Sequence, residues 1–210
     1  MDGRRRATSG FERADTPSTA LPFRPHHLAA TARGAHDTEP AAAPAPARFR
    51  EVLGNFATGV TVITALDGPA PVGFTCQAFT SLSLDPPMVS FSVSRDSSTR
   101  PRILAAGRFC VNVLAFDQHG LCARFAARGA DRFAGVDWWR SPGGCPVLDG
   151  SLAWIDCTVE AGYPAGDHMI VVGNVRALSV QREAAPLVYH RGAFANCFPL
   201  ANTGALPRVC

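Results

Sequence analysis

Pro71-Val72-Gly73-Phe74-Thr75-Cys76-Gln77-Ala78-Phe79-Thr80-Ser81-Leu82-Ser83-Leu84-Asp85-Pro86-Pro87, running on into Met88-Val89-Ser90-Phe91-Ser92-Val93-Ser94, decides how this chain folds. Its final run alternates cleanly, with Val89, Phe91 and Val93 on one side and Ser90, Ser92 and Ser94 on the other. A period of two marks a strand with one buried face, so the apolar set meets a core and a row of hydroxyls is left available. Upstream, residues 72–79 follow the turn Asp67-Gly68-Pro69, and the β-branched residues 60–66 precede it, so the two runs read as a hairpin.

Farther out the pattern stays strand-rich. Ser98, Thr99 and Pro101 give helix-start chemistry and Gly107 a stop, which predicts a helix over 99–106 with Ile103 and Leu104 on its apolar side. Residues 109–114 return to strand. A helix over 118–127 puts Leu121 and Phe125 on one face and Arg124 on its flank, and a loop follows through Gly135 and Gly143-Gly144. Residues 152–160, 169–180 and 186–194 are three further strands. Phe49, Val52, Leu53 and Phe56 repeat at the spacing of a short amphipathic helix that would cap a core. About seven strands against three short helices predict a mainly β fold, and closure into a small Greek-key barrel is the economical way to manage the sheet edges.

The totals name no partner. The chain has 210 residues, 47% of them apolar and 18% charged, which suits one folded domain. All 20 basic side chains are arginine, and a formal charge of +3 is small for binding nucleic acid by charge. Residues 1–47 are rich in Ala, Pro, Arg and Thr without hydrophobic periodicity, so the expected division is a disordered extension over 1–47, a folded domain over 48–197 and a tail over 198–210. No apolar run is long enough to span a bilayer and Arg4-Arg5-Arg6 is not followed by a secretory apolar segment, which predicts no membrane association and a cytoplasmic location. The seven cysteines are odd in number and scattered, with no Cys-x-x-Cys pair to clip a zinc ion; they read as reduced thiols, with Cys110 and Cys157 as core residues.

The chain carries no G-x-G-x-x-G after a strand, no phosphate-binding G-x-x-x-x-G-K-[ST], no H-E-x-x-H and no G-x-S-x-G. The segment over 71–87 instead resembles the flavin reductase family, the reductase components of two-component flavin-dependent monooxygenases, with their G-[FM]-T/A-x-x-[SA]-F…S-L-x-P-P pattern. The resemblance covers roughly residues 49–194. It continues in family order through Gly107-Arg108-Phe109-Cys110-Val111-Asn112-Val113-Leu114, Asp131-Arg132-Phe133-Ala134-Gly135, Gly166-Asp167-His168 and Tyr189-His190-Arg191-Gly192. It implies a split (Greek-key) β-barrel of the FMN-binding type, a homodimer, FMN or FAD as the flavin, and NADH or NADPH as reductant.

Carried over by position, the resemblance implies flavin contacts at Pro71, Val72, Gly73, Phe74, Thr75, Gln77, Ala78, Ser92, Val93, Ser94, Ser98, Thr99, Arg124 and Phe125. Physical chemistry agrees. A flavin ring needs an apolar surface for its body and main-chain donors and acceptors for its pyrimidine edge, and its phosphate suits hydroxyls with a guanidinium such as Arg124. His168 is implied as the nicotinamide-side residue, the one candidate catalytic group, with Tyr189, His190, Arg191 and Gly192 as further dinucleotide contacts. Cys76-Gln77 departs from the Ala-Ser or Ala-Asn of many relatives. Hydride passes directly from nicotinamide to flavin, so no nucleophile or acid–base pair is required, and reduced flavin is expected to feed a monooxygenase. The alternatives are a non-catalytic flavin-binding or sensing module on the same barrel, and an oxidase of the pyridoxamine phosphate type, which residues 166–168 and 189–192 fit poorly.

Overall fold

The computed structural model describes residues 43–129 and 131–197, so most of the expected extension and all of the tail lie outside the described residues. The chain opens with α1 (Pro46–Leu53), β1 (Thr58–Gly59), β2 (Thr61–Asp67), β3 (Ala70–Cys76), β4 (Phe79–Leu84), β5 (Pro87–Ser94), α2 (Arg100–Ala106) and β6 (Arg108–Val113). A 3-10 turn at Phe116–Gln118 leads into α3 (His119–Ala126), the short β7 (Trp138–Arg140) and β8 (Pro146–Leu148), the long β9 (Ala153–Ala165) and β10 (His168–Val180), and β11 (Val188–His190) with β12 (Ala193–Ala195).

Seven strands form one antiparallel sheet in the order β3-β2-β6-β9-β10-β5-β4, the mainly β architecture that the alternating runs predict. The β2–β3 hairpin turns through Gly68-Pro69, where glycine at φ 58° followed by proline suits a tight turn of the II′ kind. The expected single strand over 72–79 breaks at Cys76, because the Phe79 N–H closes back on the Gln77 carbonyl at 2.9 Å and redirects the chain into β4. β3 and β4 therefore occupy opposite edges of the sheet. The Ser92 N–H reaches the Ala78 carbonyl at 2.9 Å, but no β3–β4 ladder forms, so the curled sheet keeps a seam where full closure was expected.

The core fills both faces of β2. Ile63 and Ala65 join Val72, Phe91, Phe109, Val111 and Val171 inside the curl, with Phe91 and Phe109 edge-on at 5.1 Å. Val60 and Val62 turn the other way and pack with Leu114, Phe125, Leu148 and Leu187 beneath α3. Buried Asn112 ties strands together: its amide donates to the Val62 carbonyl and Thr64 hydroxyl, and its oxygen accepts the Leu148 N–H at 2.8 Å. Such a fully used amide in a core fixes register as well as filling space.

Three expectations are corrected. α1 starts at Pro46 and buries none of its residues; Phe49, Val52, Leu53 and Phe56 stand between 48% and 76% exposed, so the helix is amphipathic but caps no core within this chain. Residues 186–194 form the β11–β12 hairpin, not one strand, since Arg191 and Gly192 both take positive φ. The loop expected before residue 152 contains the β7–β8 hairpin. Gly107, with φ 66°, ends α2 as its position after Ala106 predicts. Among the described residues no helix is long and apolar enough to cross a membrane.

Candidate functional site

The serine face of β5 acquires its chemistry from β10. Their antiparallel register sets His168 opposite Ser94 and Ile170 opposite Ser92, and opposed residues share a face with Cβ atoms about 5 Å apart. Val93, Phe91 and Val171 face the core by the same alternation. His168 opens β10 because β9 reverses through Gly166-Asp167, with Gly166 at φ 61°. The Gly-Asp-His run is thus a turn glycine, an exposed acid and the first residue of a strand. The imidazole Nδ1 lies 2.7 Å from Asp167 Oδ1, and this contact holds the Asp167 carboxyl below the usual carboxylate range. Nε2 has no hydrogen-bond partner among the described residues.

Across the seam stands the free edge of β3. Alternate residues of an antiparallel edge strand point both main-chain groups away from their partner. Gly73, whose carbonyl accepts Arg132 Nη1 at 2.6 Å, belongs to this outward set, as by alternation does Thr75. Between this edge and β5 lies a cleft of 330 Å³ lined by Phe74, Thr75, Gln77, Ala78, Ser92, Ser94 and His168 among others. Apolar surface from the half-buried Phe74, main-chain groups at the rim, hydroxyls on the opposite wall and an imidazole at the mouth are the complement of a flat ring with a polar edge. The residues present fit a flavin. The Thr75 hydroxyl donates to the Cys122 carbonyl at 2.7 Å, so its hydrogen is already used inside the protein. Cys76 stays out of the chemistry: its Sγ lies 3.6 Å from the Ser92 carbonyl and burial pushes the thiol up to about 12.

The remaining expected contacts divide. A second cleft, of 870 Å³, shares Gln77, Ala78 and Ser92 with the first and adds Phe56, Thr58 and Tyr189. His168 and Tyr189 therefore stand in different clefts with a common wall. Tyr189 packs edge-on against Phe194 at 5.7 Å. His190 ends β11, and Arg191-Gly192 forms the hairpin apex, where Arg191 Nε and Nη2 donate to Asn55 Oδ1 at 2.9 and 2.5 Å. Ser98 is exposed and Pro71 half-buried, whereas Val72, Val93 and Thr99 are buried.

Two further residues implied as flavin contacts, Arg124 and Phe125, do not line the 330 Å³ cleft. Phe125 is fully buried, edge-on to Phe133 at 5.0 Å, and a Cβ on Gly73 would come within 2.9 Å of its ring, so it packs behind the wall. Arg124 donates to the Ala134 carbonyl and lines a separate cleft with Asp117 and Asp149, away from the serine face. The guanidinium at the wall is that of Arg132, which reaches Gly73 and, at 3.0 Å, Thr99 Oγ1. The Asp131-Arg132-Phe133 run carried that signal without a role attached to it.

A curled antiparallel sheet, split at a seam whose two lips carry main-chain edge and hydroxyl row, is the framework of a flavin-handling oxidoreductase. The chain belongs to the flavin reductase like domain family, whose sequence profile matches residues 53–197. It is similar to the reductase subunit HsaB of a flavin-dependent monooxygenase from Rhodococcus jostii (strain RHA1), 51% identical over 73% of this chain and 79% of that protein. Among solved structures it is similar to nitrilotriacetate monooxygenase component B from Mycobacterium thermoresistibile, with 48% identity, a TM-score of 0.74, and coverage of 77% of this chain and 92% of that one. The NADH:FAD oxidoreductase SgcE6 of Streptomyces globisporus C-1027, solved with NAD and FAD fragments, is 34% identical with a TM-score of 0.70 over 74% of this chain and 94% of that one. The protein is an oxidoreductase of the flavin reductase class.

Proposed function

We propose that the chain is the reductase half of a two-component system: it takes hydride from NADH or NADPH, delivers it to FMN or FAD, and releases the reduced flavin to a flavin-dependent monooxygenase. The observation that carries this reading is the meeting of the β3 edge, Ser92, Ser94 and His168 around one cleft. Bound flavin supplies the ring nitrogen that accepts the hydride. The outward main-chain groups of β3 hold the ring's polar edge, and Phe74 keeps water from its body. His168, steadied at Nδ1 by Asp167, presents Nε2 to the nicotinamide and orients it without giving up a proton. The relatives described as reductase subunits support the monooxygenase partner. The exposed apolar face of α1 supports a homodimer, and the free buried thiols suit a reducing compartment, the cytoplasm.

Purified protein mixed with NADH and either flavin is expected to consume NADH far faster than flavin alone, and His168→Ala to raise KM for NADH more than it changes flavin affinity. No acceleration with FMN or FAD, using either reductant, would overturn the reading.

A further inference from the structure

The larger cleft holds one charge. Its 870 Å³ are lined mainly by apolar and hydroxyl-bearing residues, among them Leu53, Phe56, Thr58 and Tyr189, and Arg50 is the one charged residue that lines it. No carboxylate shares the cleft to neutralise that guanidinium. The nearby cations are engaged elsewhere: Arg48 Nη1 pairs with Glu51 Oε1 at 2.9 Å, and the Arg191 guanidinium donates to Asn55. Among the described residues the Arg50 side chain makes no hydrogen bond and enters no ion pair. A cation in the last turn of a helix favours the helix dipole, but that use is served equally well by a side chain in open solvent. The helix end that carries Arg50 is fixed in place. The Gly54 N–H donates to the Arg50 carbonyl at 2.8 Å, and the Gly54 carbonyl accepts the Arg191 N–H at 2.9 Å, which fastens α1 to the hairpin whose first strand brings Tyr189 to the cleft.

The surroundings indicate which anion this charge suits. The two clefts share Gln77, Ala78 and Ser92, so a dinucleotide whose nicotinamide lies by His168 can pass over that wall and lay its remainder along Tyr189 and Arg50. The anionic part of such a molecule is its diphosphate bridge, and an unpartnered guanidinium offers two phosphate oxygens parallel charge-assisted bonds. Arg50 precedes residues 53–197, the segment that the family profile matches, and it is none of the contacts that the resemblance implied.

We infer that Arg50 is a specificity-determining residue of the larger cleft, where it holds the diphosphate bridge of the reductant and makes the protein favour a nicotinamide dinucleotide over the bare nicotinamide riboside. The inference rests on the reductase reading of the site. Its test compares NADH with reduced nicotinamide riboside, which carries the same reacting ring and no phosphate. In steady-state assays of the full chain at saturating FMN, Arg50→Gln should raise KM for NADH about tenfold at nearly unchanged kcat while leaving KM for the riboside within about twofold. Arg50→Lys should keep part of the preference for NADH. Arg48→Gln, on the same helix but outside the cleft, should behave as wild type. FAD also carries a diphosphate, so FMN and FAD binding is titrated by flavin fluorescence: affinities equal to those of wild type are expected for Arg50→Gln, and a loss confined to FAD overturns the assignment to the reductant. An unchanged KM for NADH overturns it as well, as does an equal rise for both reductants, the result that mere support of α1 would give. Wild type that oxidises neither reductant in the presence of flavin overturns the reductase reading itself, which separates the two failures. Thermal melts of each variant identify misfolding. Should Arg50→Gln not fold, inhibition of NADH oxidation by ADP in the folded Arg50→Lys variant is expected to be several-fold weaker than in wild type; unchanged inhibition overturns the inference.

Discussion

Arg191 holds φ at 50° in the two-residue turn between β11 and β12, a left-handed backbone where Asn, Asp or Gly sit with less strain. A costly backbone at an exposed apex is understandable if the guanidinium is wanted there for the dinucleotide. Arg191→Asn is therefore expected to keep or raise the melting temperature while raising KM for NADH about fivefold. A variant with unchanged KM would confine Arg191 to holding Asn55. Ser92, Ser94 and His168 were legible in the sequence because a period of two and a turn glycine settle which face a residue takes. Where the Arg124 guanidinium ends was not: helical spacing settles the direction of its Cα–Cβ bond, whereas the far end of a long side chain follows whichever acceptor lies in reach, here the Ala134 carbonyl. The same spacing that puts Arg124 outside turns Phe125 inward. The buried cysteines add a pH dependence. Burial raises Cys76, Cys145 and Cys157 from 9.0 to about 12, so the folded state keeps protons that the unfolded chain sheds. Their contribution to stability is whole below pH 9.0 and declines as pH climbs toward about 12, which urea unfolding from neutral to alkaline pH will reveal as a falling midpoint.

At the scale of elements, the β7–β8 hairpin depends on one carboxylate. Asp156, buried on β9, accepts from the Ser141 hydroxyl at 2.7 Å and the Gly143 N–H at 2.5 Å, and a Cβ on Gly143 would lie 2.3 Å from its Oδ2. Asp156→Ala leaves both donors without a partner inside the protein and is expected to lower the unfolding free energy by about 2–3 kcal/mol, measured by urea denaturation, with β7–β8 amides losing protection first. An unaltered midpoint would mean the loop is held elsewhere. This hairpin escaped the sequence reading because its strands are too short to show a period, and Gly143-Gly144 looked like simple loop punctuation. β11 and β12 escaped because Arg-Gly is a weak turn signal beside Asn-Gly. The long strands β5, β9 and β10 were legible for the opposite reason, since each holds its alternation for several pairs.

For the whole molecule, mainly β architecture followed from the sequence, but closure did not, since it depends on whether two edges far apart in the sheet find each other. The outward face of α1 was likewise hidden: four apolar residues at helical spacing reveal a face, not what covers it. Under the homodimer reading, Val52→Asp combined with Phe56→Ser should convert a dimer to a monomer in light scattering while leaving the circular dichroism of the sheet unchanged. A dimer that survives would move the interface away from α1. The seam has one more consequence. Among the described residues no strand lies beside the outward amide of Thr75, so without flavin its hydrogen is expected to trade freely with solvent, whereas a ring lodged against β5 shields it. Deuterium uptake at that single position is then a clock for flavin residence, reading how long each molecule stays before it departs, with no need for a reductant, an oxygenase or a change in colour.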